Sequence, residues 1–236
     1  MQEKKFKALV TGSTRGIGLS IVKNLLENNI EVIATGTGDN FDFPAVEYYP
    51  INFNNSGSFE KFLKFAESAK IDILVNNAGI NKIDKFENIK VEDFKRIINV
   101  NLTAPFRICQ AVIPHMKKQN WGRIVNIASI WSQKSREYRA SYSASKFGLD
   151  GMSLALAAEQ ADSGILVNCV SPGFTRTDLT ENILGSKEIL EIEKTIPIGR
   201  LAKTEEIANI VNWLVSESNS YLTGQNIMID GGFSRV

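Results

Sequence analysis

Thiols and imidazoles are scarce in this sequence, whose 236 residues include two cysteines, Cys109 and Cys169, and one histidine, His115. Both cysteines lie in apolar stretches, so we expect two reduced, buried thiols rather than a disulfide framework. A metal centre built on Cys and His ligands needs more such side chains close together. The sequence therefore predicts no metal site, and it assigns His115 a surface or packing role on a predicted helix.

An excess of charge and a long apolar run are also lacking. Lys and Arg number 27 against 26 Asp and Glu, and these charges are scattered along the chain. This balance predicts neither nucleic acid nor an acidic membrane as a partner. No apolar run is long enough to cross a bilayer, and the N-terminal residues carry no apolar signal core or cleavage site. We therefore expect a cytoplasmic protein with no membrane partner.

Short apolar runs alternate with helical patterns from one end of the chain to the other. Ile207, Ile210, Val211 and Leu214, for example, share one face of a helix. Apolar strands separated by helices predict an α/β fold: a Rossmann-type doubly wound sheet of about seven parallel strands, with helices on both faces, in a single domain over residues 1–236. The predicted strands are 7–11, 31–35, 46–51, 71–76, 123–128, 166–170 and 226–229.

Two segments interrupt this alternation. The stretch between the second and third predicted strands is too short, and too rich in Gly and Pro, for a crossover helix. The segment at about 174–200 is polar, with helical pieces and no strand. A long insertion of this kind in an α/β enzyme predicts a substrate lid.

A glycine turn follows the first strand and opens the first helix, with the sequence TGSTRGIG at 11–18. Gly12 allows a tight turn, Gly16 lets the backbone approach a pyrophosphate, and Gly18 lets the helix and strand pack closely. The N-terminus of the helix then offers unpaired N–H groups to phosphates. The spacing predicts a dinucleotide site, and the alternative is a turn required only for packing.

The choice of cofactor is determined after the second strand, where an NAD site usually carries an acidic residue that binds the ribose. Here the run from Ala34 to Thr37 contains no acid, and the first acidic residue is Asp39. Arg15 can meet a 2′-phosphate and Thr37 can add a hydroxyl donor. These residues favour NADP(H) over NAD(H), and the alternative is that Arg15 is a solvated loop charge.

Ser129, Tyr142 and Lys146 form the most specific pattern in the sequence. Ser129 follows the fifth strand at the sheet edge where α/β folds bind ligands, and Tyr142 and Lys146 share a helix face. A free tyrosine has a pKa of about 10, and an ammonium ~4 Å away lowers it by up to about three units at an effective dielectric near 20. The pattern predicts a proton-donating phenol with a lysine partner.

Together these motifs resemble the classical short-chain dehydrogenase/reductase family. The resemblance runs from Lys7 to the C-terminus. It implies a nicotinamide-dependent oxidoreductase acting on CH–OH and C=O groups, and such enzymes are typically homotetramers. The matching motifs are TGSTRGIG at 11–18, NNAG at 76–79, NVN at 99–101, Ser129, YSASK at 142–146 and PGFTRT at 172–177.

The resemblance also implies roles for residues that no pattern had marked. Asn101 would complete a catalytic tetrad with Ser129, Tyr142 and Lys146 and hold a water that links Lys146 to a proton relay. Asn76 and Gly79 would line the adenosine side. With the positions already named, the predicted cofactor-binding residues are Gly12, Ser13, Thr14, Arg15, Gly16, Ile17, Gly18, Thr37, Asn52, Asn76, Ala78, Gly79, Tyr142, Lys146, Pro172, Gly173, Thr175 and Thr177.

Within the family, the sequence most resembles the 3-oxoacyl-(acyl-carrier-protein) reductases of fatty-acid synthesis, for example at PIGRLAKTEEIAN. That branch implies an acyl-thioester substrate. However, Asn120 or Gln119, and Ser163, stand where that branch places arginines that grip the acidic carrier. The loop before Tyr142 is charged, through Lys134, Arg136 and Arg139. A polar small molecule (a sugar, nucleotide sugar or polyol) is therefore an alternative substrate, and a non-catalytic cofactor-binding sensor is a further alternative.

Overall fold

The computed structural model describes residues 5–177 and 185–236. Seven strands form one sheet in the order β3-β2-β1-β4-β5-β6-β7, and every neighbouring pair is parallel. This confirms the predicted doubly wound α/β fold of Rossmann type. The strands are β1 Lys7–Val10, β2 Glu31–Gly36, β3 Val46–Pro50, β4 Ile73–Asn76, β5 Gly122–Ile127, β6 Ile165–Pro172 and β7 Asn226–Ile229.

Helices cover both faces of the sheet. On one face, Phe62 and Ile108 pack against Leu9. On the other face, Val22 and Val211 pack against strand residues that alternate with the first set along β1. The α-helices are α1 Gly16–Glu27, α2 Ser56–Ser68, α3 Val91–Ile98, α4 Ala104–Gln119, α5 Ala140–Gln160, α6 Ser186–Thr195 and α7 Thr204–Val215.

The apolar pattern of the sequence predicts one long helix from about Val91 to Lys118, and the structure shows that this region is not a single α-helix. A π-helical segment, Asn99–Thr103, separates α3 from α4. The signal in the sequence is Pro105 at the start of α4, whose missing N–H interrupts the α-helical hydrogen bonds. Such segments are rare and often occur at functional sites, and this one contains Asn101.

The connection from β2 to β3 contains no helix in the described structure, as its length and composition predicted. Residues 37–45 cross directly, and β3 pairs with β2 in parallel from Val32 and Val46 onward. One side of the β2 end is therefore open instead of being covered by a crossover helix. Thr37 is exposed there.

Cys109 and Cys169 are buried free thiols, and burial raises the pKa of each to about 12. His115 packs against Asp72, with 3.2 Å between its Nε2 and Oδ1 of the carboxylate. Among the residues described, no group of three His, Cys, Asp or Glu side chains is arranged to hold a metal ion. The helices described also include none with the length and apolarity needed to cross a membrane.

Candidate active site

The glycine turn has the backbone geometry that only glycine adopts without strain. Gly12 has φ +63° and Gly16 has φ +55°. A Cβ on Gly12 would lie 2.7 Å from the Cα of Ala78, so these two predicted residues are in close contact. A Cβ on Gly16 would lie 3.5 Å from Cγ2 of Thr177. The turn and the loop after β6 therefore face each other across the carboxyl edge of the sheet.

Side chains beneath the turn hold it in place. Ser13 is buried, and its hydroxyl donates to the carbonyl of Val10 at 2.9 Å, so this side chain stabilises the turn itself. Asn77 donates from Nδ2 to the carbonyls of Thr11 and Gly12 at 3.0 and 2.8 Å. The sequence analysis missed Asn77, although it belongs to the quoted NNAG motif.

The N-terminus of α1 fits an anionic ligand. Within the described part of the chain, Arg15 at the N-cap makes no side-chain cap hydrogen bond, and the first turn contains no acidic residue. The N–H groups and positive dipole of this end therefore favour a phosphate. Arg15 and Thr37 are both exposed, and Thr14 contacts the end of β2 at Gly36. A dinucleotide pyrophosphate would be held by this turn.

Several other predicted cofactor residues have side chains that serve the fold. Asn76 is 2% exposed and donates to Asn126 Oδ1 at 2.8 Å, so only its backbone borders the open edge. Ile17 packs against the core layer of α1 and α7. Asn52 is exposed beyond β3, where its Oδ1 accepts from the backbone N–H of Asn54 at 3.0 Å.

The loop after β6 is anchored by the C-terminal region. Pro172 is buried at the end of the strand, and a Cβ on Gly173 would lie 2.7 Å from Cβ of Asp230. Gly173 is therefore required for close packing against the segment after β7. Thr175 is also buried, and its hydroxyl donates to the Gly173 carbonyl at 3.2 Å. Among the predicted residues of this loop, Thr177 is the one that lies beside the glycine turn.

Ser129 and Tyr142 meet beyond the carboxyl end of β5. The side chain of Ser129 acts on the Tyr142 phenol as a hydrogen-bond partner that lowers its pKa. Ser129 is 7% exposed, and its Oγ also accepts from the backbone N–H of Trp131 at 3.2 Å. This second bond fixes the position of the serine hydroxyl. Tyr142 lies in the first turn of α5, which brings its phenol to the same edge of the sheet.

Lys146 is 3% exposed and donates from Nζ to the carbonyl of Ile127 at 2.7 Å. Its Nζ lies 5.6 Å from the centroid of the Tyr142 ring. Burial lowers the pKa of Lys146 to about 8, against a smaller opposite effect from Cys169. A group with this pKa exchanges protons close to neutral pH.

The predicted lowering of the Tyr142 pKa by Lys146 is wrong for the protein's own groups. Burial is the largest cause acting on Tyr142, and it raises the pKa of the phenol. The hydrogen bond with Ser129 and the charge of Arg139 oppose this rise. Burial favours the neutral forms of both tyrosine and lysine, and the sequence pattern cannot reveal that effect. Tyr142 therefore stays protonated near neutral pH.

Asn101 is completely buried and connects three parts of the site. Its Oδ1 accepts from the N–H of Ile80 at 2.9 Å, and its Nδ2 donates to the Ile80 carbonyl at 2.9 Å and to Ser145 Oγ at 3.0 Å. Ser145 in turn donates to the carbonyl of Tyr142 at 2.7 Å. A Cβ on Gly79 would lie 3.6 Å from Asn101 Oδ1 and 3.7 Å from Lys146 Nζ. The structure thus brings the four predicted catalytic residues to one site, with Ser145 as a link that the sequence analysis missed.

The chain is similar to known proteins along almost its whole length. A family model described as enoyl-(acyl carrier protein) reductase matches residues 12–234. The chain is 38% identical over 238 residues to the 3-oxoacyl-(acyl-carrier-protein) reductase of Escherichia coli strain K12, covering 97% of each chain. It is 37% identical over 241 residues to the acetoacetyl-CoA reductase of Cupriavidus necator, covering 95% of this chain and 96% of that protein.

A solved structure agrees with the fold as well. The gluconate 5-dehydrogenase of Burkholderia cenocepacia J2315, in complex with NADP and tartrate, superposes with a TM-score of 0.90 at 27% identity, covering 98% of this chain and 96% of that one. The chain therefore belongs to the short-chain dehydrogenase/reductase family and is an NAD(P)-dependent oxidoreductase that acts on CH–OH and C=O groups.

Proposed function

We propose that the protein is an NADPH-dependent reductase of 3-oxoacyl thioesters. The observation that carries the proposal is the meeting of Ser129 and Tyr142 at the carboxyl edge of the sheet, with the Nζ of Lys146 5.6 Å from the centroid of the Tyr142 ring. Two relatives support the choice of substrate, since their names specify a 3-oxoacyl group on a carrier protein and acetoacetyl-CoA.

Ser129, Tyr142 and Lys146 each have a different role in the proposed reduction. When bound, the cofactor supplies a hydride to the carbonyl carbon. The Ser129 hydroxyl holds the carbonyl oxygen, and the phenol of Tyr142 donates its proton to that oxygen as the alcohol forms. The raised pKa of Tyr142 keeps this proton in place until the reaction needs it. Lys146 and the backbone near Asn101 provide a route by which Tyr142 can regain a proton.

A spectroscopic assay tests this function directly. Purified protein should oxidise NADPH when an acetoacetyl thioester is added, and Tyr142→Phe should reduce kcat by at least a hundredfold, within the range of general acid catalysis. Tyr221→Phe, the same change at a tyrosine that is 95% exposed, is the control and should keep its activity. Turnover by Tyr142→Phe at the rate of the natural protein would refute the proposed role of the phenol.

We also propose that NADPH is preferred over NADH because Arg15 and Thr37 lie where the 2′-phosphate would be. Both side chains are exposed at this edge, and the first acidic residue after β2 is Asp39. Arg15→Gln should weaken NADPH binding about tenfold or more while changing NADH binding little, since it removes a charge-assisted contact. Lys23→Gln, on the exposed side of α1, is the matched control. A preference for NADH in the natural protein would refute this assignment.

A second candidate substrate is a polar small molecule such as a sugar, nucleotide sugar or polyol. The charged loop with Arg136 and Arg139 beside Tyr142 favours it. A similar solved structure is a gluconate 5-dehydrogenase with NADP and tartrate, which also supports a polar substrate. Activity on polyols or nucleotide sugars alone would favour this candidate over the thioester. Cofactor binding without turnover of any of these substrates would favour the remaining alternative, a non-catalytic cofactor-binding sensor.

The segment at about 174–200 is proposed as the substrate lid. Residues 178–184 lie outside the described part of the structure, so the proposal depends on the two ends of the segment. Thr175 and Ala202 form a parallel bridge, and the Arg176 N–H donates to the Ala202 carbonyl at 2.8 Å. These contacts fix the base of the segment beside Thr177. Limited proteolysis within 178–184 that NADPH and substrate together suppress would support the lid, and unchanged cleavage would contradict it.

Assembly into a homotetramer is proposed from the exposed apolar stripe of α5. Phe147 is 45% exposed and Leu154 is 59% exposed, and they lie seven residues apart on one helix face. Gly151 lies between them, with nothing within 4 Å of a Cβ built there, which leaves space for a helix of a second copy. Leu154→Arg should dissociate the assembly in light scattering. A monomeric natural protein would refute the proposal.

A further inference from the structure

Three cations occupy the loop that precedes Tyr142, and they have different environments. Lys134 is engaged with the C-terminal segment, because its Nζ lies 4.0 Å from the ring centroid of Phe233 and 3.3 Å from the carbonyl of the same residue. Arg136 is exposed, and its Cζ lies 5.4 Å from the ring centroid of Trp131. Arg139 is half-buried at the N-cap of α5, three residues before Tyr142.

These contacts connect the loop with the reacting groups. The backbone N–H of Trp131, whose ring contacts Arg136, donates to Ser129 Oγ at 3.2 Å, and the side chain of Ser129 lowers the pKa of Tyr142. The charge of Arg139 acts on the same phenol from the start of α5. Arg139 therefore lies at the start of the helix turn that carries the phenol, and Arg136 contacts the residue that binds Ser129.

Neither arginine has a carboxylate partner in the structure as described. Over residues 5–177 and 185–236, no ion pair within 4.0 Å involves Arg136 or Arg139, although the exposed Glu137 lies between them in the sequence. Burial, and next the positive charge of Arg136, lower the pKa of Arg139, and Tyr142 acts in the opposite direction. Two like charges are thus held close together with Arg139 partly removed from water, an arrangement that an anion would stabilise.

We propose that Arg139, assisted by Arg136, binds a carboxylate or phosphate group of the substrate beside the phenol of Tyr142. The proposal rests on the proposed carbonyl reduction at that phenol, and it favours the second candidate substrate, the polar small molecule, over the thioester. A guanidinium binds such groups through two parallel N–H···O bonds, which fixes their orientation. The first turn of α5 contains no acidic residue that would compete for this end of the helix in the described structure.

The position of Arg139 also limits the length of the substrate. Three residues along a helix correspond to a rise of about 4.5 Å. The Arg139 guanidinium can therefore reach an anionic group on a short substrate that has its carbonyl at Tyr142. A short oxo acid or an oxo sugar acid fits this spacing, whereas an acyl thioester places a phosphate group only at the distant end of its carrier arm.

Two ketones with the same carbon skeleton test the subsite. Acetoacetate ends in a carboxylate, and 4-hydroxy-2-butanone ends in a neutral hydroxyl. The natural protein should reduce acetoacetate with the higher kcat/KM, and Arg139→Gln should lower the ratio of the two values at least tenfold. Arg139→Lys should retain part of the ratio because it keeps the charge. Arg139 also acts on Tyr142, so its replacement can change kcat/KM for both ketones. The readout is therefore the ratio of kcat/KM for acetoacetate to kcat/KM for 4-hydroxy-2-butanone.

The control is Arg96→Gln, which removes an exposed arginine paired with Asp93 at 3.3 Å and should leave both values unchanged. Equal kcat/KM for the two ketones in the natural protein, or an unchanged ratio in Arg139→Gln, would overturn the proposal.

A binding measurement separates this proposal from the proposed reaction. Tyr142→Phe loaded with NADPH should bind acetoacetate, followed by the change in NADPH fluorescence, at least tenfold more tightly than 4-hydroxy-2-butanone. The additional change Arg139→Gln should remove this difference. If no ketone is reduced but the difference in binding is present, the proposed reaction fails and the anion subsite stands. If thioesters are reduced and acetoacetate does not bind, the subsite is refuted and the proposed reaction stands.

Discussion

Replacing Lys146 by methionine should abolish turnover and yet raise the free energy of unfolding near neutral pH. Lys146 is 3% exposed, and its Nζ has a carbonyl partner, Ile127 O at 2.7 Å. Methionine has a similar length and no charge, so it fills the same space without a buried ammonium. The natural protein is therefore less stable than the methionine variant, because it keeps a buried lysine that catalysis requires.

The magnitude follows from the pKa of Lys146, which burial lowers from 10.5 to about 8. At 1.36 kcal/mol per pKa unit, keeping this ammonium charged in the folded state costs about 3 kcal/mol. Losing the hydrogen bond to Ile127 costs about 1 kcal/mol. The variant should thus be about 2 kcal/mol more stable at pH 7.

The difference in the free energy of unfolding between Lys146→Met and the natural protein should decrease as the pH rises. Below about pH 8 Lys146 is protonated in both the folded and the unfolded state, so the cost is fully present. Between about pH 8 and pH 10.5 the unfolded chain holds one proton more than the folded protein. The free energy of unfolding of the natural protein then rises with pH, and the advantage of the variant disappears.

Urea unfolding followed by circular dichroism, at about pH 7 and about pH 10 and at one protein concentration, measures both effects. Lys23→Met, at an exposed position of α1, is the control and should show no comparable pH dependence. A Lys146→Met variant that is less stable than the natural protein at pH 7, or an offset that is the same at both pH values, would refute the reasoning.

Further substitutions test the site at single positions. Gly12→Ala should cost about 2 kcal/mol in urea unfolding and weaken NADPH in a fluorescence titration, because a Cβ at φ +63° would meet Ala78 at 2.7 Å; unchanged binding would contradict this. Gly57→Ala in the first turn of α2 is its control and should change neither value much, because among the described residues a Cβ there would meet only Asn55 Oδ1, at 3.7 Å. Asn101→Ala should cost about 3 kcal/mol, because the Ile80 N–H and carbonyl lose their partners. Ser145→Ala should lower kcat with little change in KM, and a change in KM alone would contradict its positioning role.

The sequence determined the fold class and the chemistry because both depend on local patterns. Apolar runs of strand length, separated by helical periodicity, require a parallel sheet that is covered on both faces. The glycine spacing at 12, 16 and 18 and the helical spacing of Tyr142 and Lys146 can be identified without coordinates. The absence of a helix between β2 and β3 also followed from composition alone.

Only the tertiary structure decided the environment of these residues, because burial and long-range contacts have no local pattern. The pKa of Tyr142 is raised instead of lowered, since the packing of α5 against the sheet removes the phenol and its lysine from water. Asn101 owes its role to a π-helical segment and to bonds with Ile80 and Ser145, residues distant in the sequence. Residues of one sequence motif can therefore either pack in the core or line the active site, and only the tertiary structure shows which of them do each.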